Sequence, residues 1–320
     1  MDPTTTAFLE GRTIEVAGVP TLFTGATEDR AAAMASMLGH EPPADADPAL
    51  WVTFGTTPPP IPPGAPDQIH DDLEVWTRPD GLWLRQRDGV TARVVGEEAV
   101  IGGPVTNGWL VFRRVFLWVM GHLLAARDRY LLHAAAVGRE GAALLVLGAS
   151  GQGKSTVCYA ALDDGWRILS DDHVAIRTGP AGPEVSGIPK PPAVPGELVT
   201  GVPNPGREMV GDPRRRFELG AEVTGRGFFP VAATVLPHHH DQPKGAVAPG
   251  DAATVLQTVV GSCAVATDRP TLARLFPLAS AIGRLPIYRL GLSVDATNRV
   301  DEIVATIRRL REGGYPADPG

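Results

Sequence analysis

The stretch Gly148-Ala-Ser-Gly-Gln-Gly-Lys154-Ser155 constrains this chain more than any other, because it fits the phosphate-binding pattern GxxxxGK[ST] in full. Each position has a chemical reason. Gly151 and Gly153 let the main chain wrap and aim successive N–H groups inward as an anion nest. A helix opening at Lys154 adds the positive end of its dipole. The Lys154 ammonium would reach the β- and γ-phosphates, and the Ser155 hydroxyl would face Mg²⁺. The flanks agree: AALLVLG at 142–148 is a continuous apolar run, as a buried strand requires, and a helix-capable segment follows. The expected nucleotide contacts are therefore Gly148, Ala149, Ser150, Gly151, Gln152, Gly153, Lys154, Ser155 and Thr156.

The helix should run from Lys154 to about Asp163 and stop at Gly165. WRILS at 166–170 is the next strand, and it delivers Asp171 and Asp172 at its exit. Carboxylates at the end of a strand adjacent to the loop strand are placed to handle Mg²⁺. One can hold the ion, directly or through water, and the other can accept a proton from an attacking hydroxyl. A cation offsets the like charge of the pair. His133 lies in an expected strand over 130–138, within reach of the phosphate region if that strand neighbours the loop strand. His173 alternates away from Asp172 and reads as packing or surface. His238–His240 follow a proline and read as a surface loop rather than a zinc site.

Around this core, residues 73–105 break into short alternating segments bounded by Gly, Pro or Asp, which predicts an antiparallel meander. DRAAAMASML at 29–38 is helix-like. Over 109–129 the period changes, and Leu110, Phe112, Phe116, Leu117, Met120, Leu123 and Leu124 share one broad helical side. Gly 37 and Pro 31 concentrate partly in 179–213, which reads as a long loop, either a lid or a binding loop. Strand character returns at 228–237. A helical region spans 250–282 with a break near Pro270. A strand follows at 285–293, and an amphipathic helix at 299–311 carries Val300, Ile303, Val304, Ile307 and Leu310 on one stripe.

A formal net charge of -7 gives no support for nucleic-acid or membrane binding. WLVFRRVFLWVM at 109–120 is interrupted by two arginines and is too short to span a bilayer. The first residues carry no basic segment leading into an apolar run, so no signal peptide is expected. A soluble, cytoplasmic protein is the expectation, with Cys158 and Cys263 as buried thiols.

LLHAAAVGREGAALLVLGASGQGKST followed by GWRILSDDHVAI resembles the C-terminal domain of the HPr serine kinase/phosphorylase family. It is similar above all to the short HPr-kinase-like proteins that include lasso-peptide precursor kinases. The resemblance covers about residues 105–311. It implies an α/β fold with the P-loop nucleotide-binding core of the HPr kinase and phosphoenolpyruvate carboxykinase type. Ahead of it would stand a smaller α+β N-terminal domain at 1–104. The kinase domain would occupy 105–313, and a flexible tail 314–320.

The resemblance also implies roles. Lys154 and Ser155 would serve ATP, with GTP as the alternative, and Mg²⁺. Asp171 would be the proton acceptor and Asp172 the metal-side carboxylate, joining Ser155. His133 would stand near the transferred phosphoryl group. The implied activity is transfer of a γ-phosphate to a hydroxyl acceptor, either a serine of a precursor peptide or a small molecule, and the implied assembly is a homo-oligomer. Thr156 stands where the family has Glu, and the family's downstream Gly- and Asn-rich signature is absent, which argues against HPr as substrate and against phosphorolysis. Lys190, Arg207, Arg214, Arg215, Arg216 and Arg226 are the basic candidates for neutralising the transferred charge. The competing reading is a nucleotide-hydrolysing regulatory module without a phosphorylated substrate.

Overall fold

In the computed structural model, the described residues are 6–7, 10–25, 27–28, 31, 44–70, 72–104, 115–162, 164–188, 193–195, 216–218, 223–239, 247–263 and 269–292. The expected helices at 29–38 and 299–311 and the tail lie outside them, apart from Ala31. The chain divides into two compact units, Met1–Leu131 and Leu132–Gly320. The division follows Leu131 rather than residue 104, so the apolar helix after the meander belongs to the first unit.

That first unit is built on a sheet whose strands are β1 (Arg12–Val16), β2 (Val19–Gly25), β3 (Leu50–Gly55), β4 (Gln68–His70), β5 (Leu73–Arg78), β6 (Gly81–Gln86), β7 (Thr91–Val95) and β8 (Glu98–Gly102). Their order is β1-β2-β3-β8-β7-β6-β5-β4. The antiparallel run β5 to β8 is the meander expected from the period-two pattern. Ala17 and Gly18 both take positive φ, the twist a two-residue hairpin turn needs between β1 and β2. Helix α1 (Leu117–Ala125) buries Val119, Met120, Leu123 and Leu124, two of its adjacent pairs, because the apolar residues form a wide stripe. β9 (Tyr130–Leu132) carries the chain to the second unit.

The second unit opens with the hairpin of β10 (Ala135–Arg139) and β11 (Ala142–Val146). The glycine-rich loop leads from β11 into α2 (Lys154–Leu162), and β12 (Arg167–Ser170) follows. Gly165, at φ 75, ends α2 in a Schellman turn: its N–H donates to Leu162 O at 3.0 Å, and Trp166 N–H donates to Ala161 O at 3.2 Å. Then come β13 (Val174–Gly179), β14 (Gly182–Gly187), the short pair β15 (Ala193–Pro195) and β16 (Arg216–Glu218), β17 (Phe229–His239) and β18 (Val247–Pro249). Helices α3 (Ala252–Ser262) and α4 (Arg269–Ile282) and strand β19 (Ile287–Leu292) complete the described residues. Pro270 sits in the first turn of α4, where a missing N–H costs nothing.

β17 is the spine of this unit. It runs parallel to β11 on one side and to β19 on the other, and its first residues pair antiparallel with β14. The strand order is β12-β10-β11-β17, extended by β19 and β18. Val137, Leu144, Val146, Val235 and Leu290 meet Val157, Cys158, Tyr159 and Ala161 of α2 in one buried core. Truncating a fully buried aliphatic residue such as Val146 or Leu145 would cost about 1–5 kcal/mol.

Two expectations about this region change. β10 stands between β11 and β12, so the strand carrying Asp171 is one removed from the loop strand rather than adjacent. Residues 179–188 are not part of a loose lid. They turn and return as β14, with Val185 fully buried, because Val185 faces the core while Glu184 closes an ion pair with Arg177 at 2.7 Å. The rest of 179–213, apart from β15, lies outside the described residues. Among the described residues, no helix is long and apolar enough to cross a membrane.

Candidate functional site

The site is assembled where three chain segments end together: the bend before β10, the loop between β11 and α2, and the exit of β12. The expected continuous strand over 130–138 breaks at His133. Its N–H leaves the strand ladder and donates to Ser262 O at the end of α3, at 3.0 Å, and Leu132 forms an isolated bridge with Cys263. The bend turns the imidazole toward the loop.

Lys154 opens α2, and its side chain folds back into the loop. Nζ donates to Gly148 O at 2.8 Å and to Ala149 O at 3.1 Å, and lies 3.2 Å from His133 Nε2. Lys154 is only 6% exposed. Burial pushes its ammonium below the ordinary range, while the charge of Asp172 pulls it back up. Gly153 takes φ 97 with Leu292 beneath it, so close that an added Cβ would stand 2.1 Å from Leu292 Cδ1. Only glycine lets the loop lie on β19 here. His239, at the end of β17, donates from Nε2 to Gly151 O at 2.9 Å and pins the loop from the other side. The amide oxygen of Gln152 accepts from Ala149 N–H at 2.8 Å, inside the loop.

The paired aspartates diverge, as neighbours on an extended chain must. Ser170 Oγ accepts from the N–H groups of Asp172 at 3.3 Å and His173 at 3.1 Å, and this turn fixes the strand exit. Asp171 points under α2. Its carboxylate accepts from the Tyr159 hydroxyl at 3.1 Å, and its main-chain oxygen accepts from Ser155 Oγ at 3.4 Å. Asp172 points the other way, with Oδ1 3.2 Å from His133 Nδ1 and Oδ2 3.2 Å from His173 Nδ1. The two imidazole rings are tilted by 55° to each other, with centroids 5.2 Å apart.

The proton arrangement follows from the donors. A lysine ammonium has no lone pair, so His133 Nε2 accepts from Lys154, and the ring's proton then sits on Nδ1, 3.2 Å from Asp172 Oδ1. Lys154, His133 and Asp172 thus stand in a row at the mouth of the loop, the first two hydrogen-bonded and the last two 3.2 Å apart. The carboxylate facing His133 is that of Asp172, whereas Asp171 meets Tyr159 and Ser155. Cys158 is on the buried face of α2, where burial and then the Asp171 charge push its thiol far up, so it stays protonated and inert. Both cysteines are buried and free.

A cavity of about 750 Å³ opens beside Gly148 and Ala149 and is lined by His133, Gln152, His238, Thr254, Thr258 and Arg289 among others. His238 and His239 therefore belong to a strand end at the site rather than to a surface loop. Of the basic candidates, Arg226 is exposed near the edge strand β12. Arg216 lies in β16, and Lys190, Arg207, Arg214 and Arg215 lie outside the described residues. Three contributors were missed in the sequence. Tyr159, one turn after Ser155, was legible from helical spacing. The serine before Asp-Asp-His was a turn signal that would have directed His173 inward. His239 carried no local signal, since the length of β17 decides its place.

No family model and no curated protein matches the chain. Among solved structures, the Hpr(Ser) kinase/phosphatase from Coxiella burnetii matches over 57% of this chain and 99% of that one, at 12% identity and a TM-score of 0.29.

Proposed function

We infer that the chain is a kinase that transfers the γ-phosphate of a nucleoside triphosphate, ATP in the first instance, to a hydroxyl acceptor. The observation that carries this reading is the Lys154–His133–Asp172 row at the mouth of a glycine-rich loop. What supports the reading is that an ammonium suited to transferred negative charge and a carboxylate able to take a proton stand on opposite sides of one imidazole.

The donor set fits a triphosphate and Mg²⁺. The loop offers main-chain N–H groups between Gly148 and Ser155, the start of α2 and the Lys154 ammonium to phosphate oxygens. Ser155, backed by Asp171, forms the side on which Mg²⁺ would be held; the ion supplies charge neutralisation of the phosphates when bound. Asp172 is the proton acceptor. It orients the acceptor hydroxyl and takes its proton as the bond to phosphorus forms. His133 faces the Asp172 carboxylate with Nδ1 and meets Lys154 through Nε2.

The resemblance of about residues 105–311 to HPr-kinase-like proteins favours a serine hydroxyl of a peptide as acceptor. The cavity beside Gly148 leaves room for a small hydroxyl compound instead. The second reading, a regulatory nucleotide hydrolase, needs no acceptor. γ-Labelled ATP, offered with serine-containing peptides and with small alcohols, separates the two. Label recovered in an acceptor supports the kinase. Label recovered only as inorganic phosphate, whatever the acceptor, overturns it.

A further inference from the structure

His133, Asp172 and His173 form a cluster that the transfer reading leaves partly unused, because His173 has no role in it. One ligand atom from each lies within 4.8 Å of the others. Asp172 is 7% exposed, and the side chains of His133 and His173 are 35% and 14% exposed, so the cluster is sheltered yet open on the His133 side. Atoms bound at about 2.1 Å to a tetrahedral ion stand roughly 3.4 Å apart. Each imidazole stands 3.2 Å from its own oxygen of Asp172, His133 Nδ1 from Oδ1 and His173 Nδ1 from Oδ2, a spacing near that edge on both sides of the carboxylate. Ser170 fixes the backbone of both Asp172 and His173, and Ser262 fixes that of His133, so the three ligands are held before any ion arrives.

We propose that His133, Asp172 and His173 form a binding site for a divalent transition ion of the zinc class, separate from the Ser155 side where Mg²⁺ is expected. Two imidazoles and one carboxylate suit zinc, cobalt or nickel, whereas Mg²⁺ prefers oxygen ligands and keeps its waters. Ligation has a definite proton consequence. His133 Nδ1 gives its lone pair to the ion, so the ring proton moves to Nε2. Nε2 then no longer accepts from Lys154, and the ammonium keeps only its bonds to Gly148 O and Ala149 O. Asp172 is at the same time withdrawn from proton acceptance. On the transfer reading, such an ion is therefore an inhibitor that excess Mg²⁺ does not relieve. The binding claim itself stands without that reading.

The test uses the full chain without nucleotide. Co²⁺ is titrated and followed by its visible absorption, then displaced by Zn²⁺, and the histidine C2-proton signals are recorded by NMR during the Zn²⁺ titration. The expected result is one ion per chain, perturbation of the His133 and His173 signals, and persistence of the bound ion in excess Mg²⁺. His173→Ala and His173→Asn should each weaken binding by more than about tenfold, since even a ligand's supporting partner is typically worth 10–100-fold. A His238→Ala, His239→Ala double variant should leave it unchanged. The proposal is overturned if the wild-type chain binds no Co²⁺ or Zn²⁺. It is also overturned if both His173 variants bind as well as wild type, or if the 238–239 variant is the one that loses the ion. Should the His173 variants misfold, the wild-type NMR signals still decide the matter.

Discussion

Lys154 Nζ and His133 Nε2 are 3.2 Å apart, and the far nitrogen of the same imidazole is 3.2 Å from Asp172. A buried cation and a buried carboxylate thus stand on opposite sides of a neutral ring rather than in direct contact. The ring faces the carboxylate without quenching it, and Lys154 stays turned into the loop.

Replacing Lys154 by Met removes the charge while keeping the stem. Transfer should fall by roughly 10²–10³-fold, the usual loss for one donor to developing charge. Nucleotide titration and turnover measure it, and unchanged turnover would defeat the assignment of the loop. The same variant has a pH signature. Burial holds the Lys154 ammonium below its ordinary value of 10.5, against the opposing charge of Asp172. Below the folded-state value the burial penalty is fully present. Between that value and 10.5 the unfolded chain binds more protons, so stability rises with pH. Denaturant melts across the alkaline range should therefore show the gap between wild type and Lys154→Met moving in favour of wild type.

The two aspartates should separate cleanly. Asp172→Asn keeps Mg²⁺-nucleotide affinity but loses transfer by roughly 10²-fold or more, a typical general-base contribution. Asp171→Asn disturbs the Tyr159 and Ser155 contacts, raises the Mg²⁺ concentration needed for half-maximal rate, and is partly restored by excess Mg²⁺. A Mg²⁺ titration of transfer in both variants is the measurement. Rescue of Asp172→Asn by Mg²⁺ would reverse the roles.

Gly153→Ala should be strongly destabilising. Its φ of 97 costs about 1–2 kcal/mol for a residue with a Cβ. The 2.1 Å approach to Leu292 Cδ1 adds a clash that β19 has to absorb. Leu292→Ala alone should cost about 2–5 kcal/mol. In a double-mutant cycle, Gly153→Ala should be less harmful once Leu292 is gone, although the backbone part remains. Additive effects would mean the clash is relieved elsewhere.

Hydrogen exchange on the ligand-free chain should find the N–H groups that bond across the β13–β14 hairpin, at alternate positions of Val174–Gly179 and Gly182–Gly187, protected. Exchange in these positions as fast as in exposed loops would mean that residues 182–188 behave as part of a lid after all.

The glycine-rich loop, the start of α2 at Lys154, its end before Gly165 and the β5–β8 meander were all legible, because each is set by local rules. The rest depended on distant partners. His133 leaves its strand because Ser262, far along the chain, takes its N–H. His239 reaches Gly151 because β17 continues through Pro237 into the expected surface loop, held by β19 as far as Leu292. Strand alternation separates Asp171 from Asp172 but does not say which face meets α2. Ser170 and Tyr159 decide that. Residues 182–187 have a loop's composition, yet β13 and β17 pair with them and override it.

Gln152 leaves the loop answering to itself. Its amide oxygen already occupies the Ala149 N–H that a phosphate oxygen would claim. An incoming anion there trades one acceptor for another rather than displacing solvent, so that contact adds only the difference between the two. The loop is kept in shape when empty, and the cost is a tenant that must leave before a ligand can settle.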